Sequence, residues 1–492
     1  MVNRRTFLHV ATALSSSAAA QGPLKSARKQ LGITIMPEYI QSEGTPALLK
    51  NLRKMGATAV CTSPYVMEPV GGTEGAREPP VDAGAGGVRL LDRPLWGKRE
   101  LHVKTAPSFT PNLDLYKGLS YQPDSPNDLT RKSGMVVQEF IHAAKDAGLE
   151  VYLQVQSAIP PGYRVQFGGP TAADKPRLPD GSVLERNVSN NGSLASTAVR
   201  RYTEALLQDL CHVYSEVDGF RVDWPEYPPY FLDSLFFDFS DPARAAAERL
   251  HFDWTRMRDD SAALRQYLLH SLTDRDLQNF LAGDGGRFAL ATAMRGYPGF
   301  VEHLRFKSVL ATEMLHGYSK TVAACGNKKL SPNLFPPPFS LVSGADFAAL
   351  GDFCDSLCVK LYTMHWPMML RFYGDELLKG NPSLSGTLLA QALVRAMDID
   401  EQARGPLSWY HYPDPDTPHP VSSHALERKI TQAKREAKCP VYALAHGYGP
   451  TTDFLSRLKT AWHASDGRVW INRYAYLSDQ KIERIAGATS GA

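Results

Sequence analysis

The fold is decided by the stretch Val217-Asp-Gly-Phe-Arg-Val-Asp-Trp-Pro-Glu-Tyr-Pro-Pro-Tyr230. Its first half is marked as a buried strand by the apolar residues Val217, Phe220 and Val222. Pro225 ends this strand, because proline has no backbone N–H to donate to a neighbouring strand. Two carboxylates, Asp223 and Glu226, therefore stand at the carboxyl end of a strand among tryptophan and tyrosine rings. Acidic groups beside aromatic rings suit sugar chemistry.

Seven further apolar runs, bounded by proline, glycine and polar clusters, lie on either side of this stretch. They occupy residues 31–40, 57–67, 150–159, 329–336, 356–362, 440–445 and 468–474. Between them lie segments of helical periodicity at 45–55, 133–147, 196–214 and 300–324. Strands that alternate with helices predict an α/β fold, a closed parallel (β/α)8 TIM barrel. A doubly wound open sheet is the alternative, disfavoured because no glycine-rich phosphate-binding sequence follows the first strand.

Two connections exceed the usual length of a loop between a strand and a helix. Residues 68–129 are rich in glycine and proline, and residues 231–298 carry further helical patterns. Long connections in a compact barrel usually serve function, because the loops after the strands build the active site. We predict one barrel domain over residues 28–485, with insertions at about 68–129 and 231–298.

Residues 1–20 predict an export signal of the twin-arginine (Tat) type. Arg4 and Arg5 precede a short apolar stretch and a run of small residues that ends at Ala20. The apolar part is too short to span a bilayer. We therefore expect cleavage near Ala20 and a periplasmic or secreted bacterial protein with no membrane association after signal removal. An unprocessed cytoplasmic leader is the alternative.

The composition of the 492 residues, 43% hydrophobic and 21% charged, is typical of a soluble globular protein. The net charge of +3 falls to +1 without Arg4 and Arg5, which argues against a nucleic-acid partner or an anionic membrane. The six cysteines are scattered without zinc-ligand spacing, so we predict neither a metal ion nor a cofactor. The sequence predicts no particular oligomeric state.

In a barrel the active site forms where strands end and the following loops begin. The two candidate catalytic residues at these positions are Glu226 and Asp223. The candidate substrate-binding residues at the same ends are Arg221, Trp224, Tyr227, Glu38, Tyr65, Lys360, Tyr362, His365, Trp366, His446, Tyr448, Asn472 and Arg473. These side chains are carboxylates, amides, cations and aromatic rings, which together suit a carbohydrate substrate.

Each candidate acid has a structural alternative. Glu226 is expected to be a general acid whose pKa is raised by the surrounding rings and prolines, or else a carboxylate that caps a turn. Asp223 is expected to be a nucleophile, base or electrostatic stabiliser, kept ionised by Arg221, or else one half of an Asp–Arg strut. Arg221 and Asp223 share a face because side chains alternate along a strand. Glu38 and Glu68 are further candidates for the acid–base pair.

Lys360 is expected to point into the barrel, where it needs a carboxylate partner, and Asp223 or Glu38 would serve. A lysine that forms a Schiff base, as in aldolases, is the alternative. Trp224 and Trp366 are expected to stack on sugar rings, and His365 to bind sugar rather than a metal ion. Arg473 is expected either to bind a carboxylate of the substrate or to pair with an acid of the barrel.

The segment Asp218-Gly-Phe-Arg-Val-Asp223 resembles the fourth-strand motif of the α-amylase group, Gly-Phe-Arg-x-Asp. That resemblance implies that Asp223 is the nucleophile. The segment is also similar to the chitinase-type motif Asp-Gly-x-Asp-x-Asp-x-Glu, which implies that Glu226 is the general acid, although Arg221 stands where that motif has Asp. Over most of its length the chain looks like poorly characterised bacterial glycoside-hydrolase-like TIM-barrel proteins with an Asp-Gly-[apolar]-x-[apolar]-Asp strand.

We therefore expect an exported glycoside hydrolase-like protein that cleaves glycosidic bonds of a poly- or oligosaccharide by carboxylate acid/base catalysis. A barrel that binds glycan without cleaving it is the first alternative. It is motivated by the fifth and seventh strands, which end in Asn333-Leu-Phe-Pro336 and Ala445-His-Gly-Tyr448 without a carboxylate. An aldolase or lyase that uses Lys360 is the second alternative.

Overall fold

The structure is a computed structural model that describes residues 28–72, 74–80, 89–165, 167–184, 186–283 and 285–490, except for the side chains of 285–290. The predicted export signal at residues 1–20 lies outside the described residues, as does part of the 68–129 insertion. Within the described part of the chain, no helix is long and apolar enough to cross a membrane.

The strands of the described chain form one barrel and one small sheet. They are β1 (Gln30–Thr34), β2 (Ala59–Thr62), β3 (Tyr65–Val70), β4 (Ala76–Glu78), β5 (Leu101–Pro107), β6 (Glu150–Gln156), β7 (Gly219–Asp223), β8 (Lys329–Leu334), β9 (Leu357–Leu361), β10 (Val441–His446) and β11 (Arg468–Asn472). Eight of them close a parallel barrel in the order β1-β11-β10-β9-β8-β7-β6-β2. The (β/α)8 prediction is therefore confirmed. The open sheet is wrong, because β1 pairs with both β11 and β2 and leaves no edge.

Each predicted strand coincides with a strand of the barrel, and two are shorter than predicted because of proline. The first ends at Thr34, since Pro37 occupies the first turn of a helix. The second, predicted over 57–67, breaks at Pro64, so that β2 ends at Thr62 and β3 begins at Tyr65 in a separate sheet. The β7 strand is buried at all five positions, as expected of a strand covered on both faces.

The described helices surround the barrel. They are α1 (Pro37–Glu43), α2 (Thr45–Met55), α3 (Asp128–Ser133), α4 (Met135–Asp146), α5 (Thr197–Val213), α6 (Asp241–Arg249), α7 (Trp254–His270), α8 (Asp274–Leu281), α9 (Gly285–Gly296), α10 (Pro298–Ala324), α11 (Phe339–Ser343), α12 (Phe347–Leu350), α13 (His365–Gly380), α14 (Gly386–Met397), α15 (Ser423–Glu436), α16 (Thr451–Ala464) and α17 (Asp479–Thr489). Short 3-10 helices occupy Leu113–Tyr116, Ala172–Asp174, Leu232–Phe236, Leu407–Trp409 and Tyr474–Tyr476.

The two long connections add structure of their own. The connection from β2 to β6 contains an antiparallel sheet in the order β3-β5-β4, followed by α3 and α4. The connection from β7 to β8 contains α6 to α10. Both connections start from carboxyl ends of barrel strands, so their first residues lie at the barrel mouth.

The barrel axis is filled below the mouth by a tryptophan. A Cβ on Gly32 of β1 would come within 2.3 Å of the Trp470 ring, so glycine at this position lets the indole of β11 occupy the interior. Tyr152 contacts the same ring edge-on, with centroids 5.5 Å apart. The Arg221 guanidinium lies 4.0 Å from the centroid of the Trp470 ring. These side chains form a closed floor beneath the carboxyl ends of the strands.

Candidate active site

A cleft opens above this floor and encloses about 790 Å³, including the space at its mouth. Its walls come from the ends of β6, β7, β9, β10 and β11 and from the connections that follow β1, β2 and β6. The lining residues are Met36, Pro80, Arg89, Gln154, Gln156, Tyr163, Arg164, Val165, Val188, Asp223, Trp224, Tyr362, His365, His446, Asn472 and Arg473. Seven of the fifteen site residues proposed from the sequence are among them: Asp223, Trp224, Tyr362, His365, His446, Asn472 and Arg473.

The Lys360 cluster, which consists of Lys360, Asp223 and Glu226, lies at the bottom of the cleft. Lys360 Nζ is 3.2 Å from Asp223 Oδ1 and 3.6 Å from Glu226 Oε1. The lysine side chain is 1% exposed and the Asp223 side chain 10%, so the carboxylate of Asp223 faces the cleft and the ammonium lies behind it. The expectation that Lys360 has a carboxylate partner, Asp223 or Glu38, is confirmed, and the partner is Asp223, whereas Glu38 lies beside Arg164.

Glu226 is buried beneath the cleft and does not line it. Its Oε1 accepts a hydrogen bond of 2.7 Å from the Phe335 N–H, and its Oε2 one of 2.8 Å from the Ser343 hydroxyl. Burial raises the pKa of this carboxyl group; Lys360 opposes the rise, and the negative charge of Asp223 adds to it. Glu226 is thus connected to the cleft through Lys360 rather than by an exposed oxygen.

Arg221 does not pair with Asp223, which corrects the prediction that it holds this carboxylate ionised. Its Nη2 donates to Asn333 Oδ1 at 2.5 Å and to Cys358 Sγ at 3.4 Å. The side chain is fully buried against Trp470, so Arg221 is also not a substrate-binding residue in this structure. Arg221 and Asp223 share a face of β7 as predicted, but Arg221 lies one layer deeper in the barrel. The cation beside Asp223 is Lys360.

A second group, the Arg164 cluster, consists of Arg164, Glu38 and Glu78 and supports another wall. Arg164 Nη1 is 3.5 Å from Glu38 Oε1, and Nη2 donates to Glu78. Glu38 also accepts a hydrogen bond of 2.8 Å from the Tyr65 hydroxyl. Burial raises the pKa of Glu38, and the charge of Arg164 opposes the rise. Arg164 lines the cleft, whereas Glu38 and Tyr65 lie behind it and do not contact its space.

Three further residues proposed to bind substrate are packed away from the cleft, which corrects their assignment. Trp366 is buried against Phe339 and the Lys429 ammonium. Tyr227 is fully buried, donates to Asp238 Oδ2 at 2.9 Å and accepts from the Leu194 N–H. Tyr448 donates to the Pro413 carbonyl at 2.9 Å. Each aromatic ring follows a barrel strand as predicted, but its side chain is used in packing.

The wall formed by β9, β10 and β11 is aromatic and basic. The Tyr362 hydroxyl accepts a hydrogen bond of 2.8 Å from Asn472 Nδ2, and its ring contacts His365 and His446 edge-on, with centroids 5.4 Å apart in both cases. His446 Nδ1 accepts from the Tyr448 N–H at 3.1 Å. The pKa of His446 is far below its usual value because the ring is buried and lies near several cations. Its imidazole is therefore neutral.

Sequence reasoning missed two arginines that line the cleft. Arg164 follows β6 by eight residues, and Arg89 comes from the long connection between β2 and β6. The Arg89 guanidinium lies 5.6 Å from the centroid of the Tyr412 ring and 5.3 Å from that of Tyr476. Neither arginine stands at the end of a strand, so a search restricted to strand ends does not find them.

The fold and the position of its cleft define the class of a (β/α)8 barrel with a site at the carboxyl ends of its strands. No protein-family model and no curated protein sequence matches this chain. Among solved structures it is similar to the catalytic domain of beta-amylase from Paenibacillus polymyxa, with a TM-score of 0.46 and 11% identity over 92% of this chain and 94% of that one.

Two chitinases are also similar in fold. The Group IV chitinase of Ostrinia furnacalis has a TM-score of 0.39 and 8% identity over 94% of this chain and 99% of that one. The class V chitinase of Pseudomonas fluorescens has a TM-score of 0.38 and 11% identity over 94% of this chain and 100% of that one. These likenesses concern the fold, and the chemistry of the site rests on its own residues.

Proposed function

We propose that this protein hydrolyses glycosidic bonds of a poly- or oligosaccharide in the barrel-mouth cleft, with Asp223 as the carboxylate at the reacting carbon. One observation carries the proposal: Asp223 faces the cleft while a buried ammonium, 3.2 Å from its Oδ1, supplies its counter-charge. As the sequence of residues 1–20 predicts, the protein would act outside the cytoplasm.

The Asp223–Lys360 pair meets one requirement of the reaction. Glycoside cleavage develops positive charge at the anomeric carbon, which a carboxylate stabilises electrostatically or attacks as a nucleophile. Because Lys360 lies behind Asp223, substrate meets the negative group first. The Trp224 ring lines the cleft beside it and offers an apolar surface to a sugar.

We assign Glu226 a positioning role within the Lys360 cluster. Both of its oxygens accept hydrogen bonds from buried groups, and its Oε1 lies 3.6 Å from Lys360 Nζ. The acid/base role that the chitinase-like motif implies would require an oxygen within reach of the leaving group. Glu226 instead holds the ammonium that faces Asp223.

Asp223→Asn tests the proposal directly. We expect at least a 100-fold loss of reducing-end release across a panel of polysaccharides, at the scale of a lost catalytic carboxylate (~10²–10⁴-fold), in a protein that stays folded because Glu226 remains as a partner of Lys360. Asp128→Asn, at an exposed carboxylate on α3, is the matched control. A D223N protein that cleaves its glycan at the wild-type rate removes the assignment.

Glycan binding without cleavage is the second candidate function, and one observation favours it. Among the described lining residues Asp223 is the only carboxylate, whereas hydrolysis by two carboxylates needs a pair that flanks the bond. This candidate predicts that the wild-type protein binds oligosaccharide in calorimetry and releases no reducing ends. Release of reducing ends by the wild-type protein, lost in D223N, excludes it.

The geometry argues against the lysine-dependent aldolase. A Schiff base forms from a free, neutral amine. Lys360 Nζ instead serves as counter-ion to two carboxylates and is 1% exposed. Borohydride treatment with carbonyl substrates is therefore expected to leave Lys360 unmodified.

A further inference from the structure

The ionic groups of the cleft are unevenly distributed between its two sides. On the β7 side, the Lys360 cluster combines one cation with two carboxylates. On the β11 side, the lining contains Arg473 and Arg89 and no described carboxylate. The third arginine of the lining, Arg164, is offset by Glu38 and Glu78. Among the described lining residues, the carboxylate therefore lies on the β7 side and Arg473 on the β11 side.

Arg473 is the group on the positive side that is available to a ligand. It directly follows β11, is half-buried and lines the cleft. Within the part of the chain that the structure describes, its guanidinium makes no hydrogen bond or ion pair. Arginine presents a planar fork of N–H donors that matches the two oxygens of a carboxylate or sulfate.

His446 lies in the field of the same two arginines. The causes that lower its pKa are burial first, then the charges of Arg89, His365, Arg473 and Arg457. Arg89 and Arg473 line the cleft, whereas Arg457 does not and is paired with Asp453 at 2.8 Å.

We infer that the sugar this cleft takes carries an anionic group, a carboxylate or a sulfate, which lies against Arg473 while the bond to be cleaved lies near Asp223. The inference rests on the proposed function and names its substrate class. An anion on the β11 side meets positive charge, whereas an anion beside Asp223 would be repelled. A neutral sugar would leave the Arg473 guanidinium without an ionic partner.

Binding to the D223N protein tests the substrate class separately from turnover. The probes are tetramers of galacturonate, glucuronate and mannuronate, each with its carboxyl-reduced counterpart, and a sulfated neutral tetramer. In calorimetry, we expect at least one acidic tetramer to bind tightly and its neutral counterpart at least tenfold more weakly. The uronate and sulfate probes distinguish the two sources of the anion.

Arg473→Gln, introduced into the D223N protein, tests whether Arg473 binds the anionic group. We expect affinity for the acidic tetramer to fall about 10- to 100-fold, the range for a charged hydrogen bond, with affinity for the neutral tetramer unchanged. Arg473→Lys should restore part of the loss, and Arg201→Gln, at an exposed arginine of α5, should bind like its parent. An R473Q protein that binds the acidic tetramer as tightly as its parent overturns the inference.

The two proposals fail in different ways. If the wild-type protein cleaves neutral glycans and no acidic probe binds more tightly than its neutral counterpart, the substrate class is wrong and the hydrolase stands. If an acidic tetramer binds through Arg473 and the wild-type protein releases no reducing ends from any glycan, the substrate class stands and hydrolysis is wrong.

Discussion

The Lys360 cluster and the Arg164 cluster have the same balance of charge but differ in the group that borders the cleft. Each places one cation between two carboxylates at the barrel mouth. In the Lys360 cluster an acid lines the cleft and the cation is hidden, whereas in the Arg164 cluster the cation lines the cleft and both acids are hidden. Of these side chains only Asp223 reaches 10% exposure, whereas Arg164, Glu38 and Glu78 are all exposed by 4% or less. The Lys360 cluster therefore offers a carboxylate to the cleft, and the Arg164 cluster supports a wall.

Removal of Lys360, the buried cation of its cluster, should have the largest effect on stability and activity. Lys360→Met leaves Asp223 and Glu226 without a counter-charge, and a broken buried ion pair costs about 3–5 kcal/mol. We expect a loss of that size in the free energy of unfolding at neutral pH, measured by denaturant titration, together with loss of reducing-end release. Lys132→Met, at an exposed lysine, is the control. Equal stability of K360M and K132M would contradict the ionic role of Lys360.

Removal of a hidden acid from the Arg164 cluster should affect stability rather than chemistry. Glu78→Gln weakens a buried ion pair but leaves Glu38 as a partner, 3.5 Å from Arg164 Nη1. We expect the free energy of unfolding to fall by about 1–3 kcal/mol and kcat to stay unchanged, the reverse of D223N. If E78Q abolished turnover while its unfolding curve matched the wild type, the distinction between the clusters would fail.

Glu226→Gln should have the smallest effect of these substitutions. Its effect on kcat shows whether Glu226 acts through Lys360 or as a general acid. If Glu226 works through Lys360, kcat falls about tenfold, equivalent to ~1.4 kcal/mol of transition-state stabilisation. In that case kcat falls by the same factor for nitrophenyl glycosides, which have good leaving groups, and for glycosides with poor leaving groups. If Glu226 were instead the general acid, kcat of the E226Q protein would fall only for glycosides with poor leaving groups. Glu139→Gln, on the exposed face of α4, controls for the substitution itself.

The barrel followed from the sequence because its signals are local. Apolar runs bounded by proline and glycine mark the strands, and the alternation of side chains placed Lys360 and Asp223 inside the same closed sheet. A carboxylate partner for Lys360 was therefore predictable, but the choice of Asp223 over Glu38 was not. Proline also explains why the first two strands are shorter than predicted, because Pro37 begins a helix and Pro64 separates β2 from β3.

The rest of the site depends on contacts that are distant in sequence. Glu226 lies in a loop, and its direction is set by Phe335 and Ser343, which are 109 and 117 residues away. The depth of Arg221 depends on Trp470 of β11, because the indole occupies the layer beneath the cleft. Periodicity gives the face of a strand on which a side chain lies, but not which distant group meets it there.

The Trp470 ring has a further consequence for how a polymer could use this barrel. Because this indole and the Arg221 guanidinium fill the interior below the cleft, the barrel axis is packed with side chains and is not a pore. A chain cannot thread along the barrel axis. Under the proposed function, a long polysaccharide would therefore lie across the mouth. Gly32 leaves room for the indole, so the closure of the barrel interior depends on a glycine at this position.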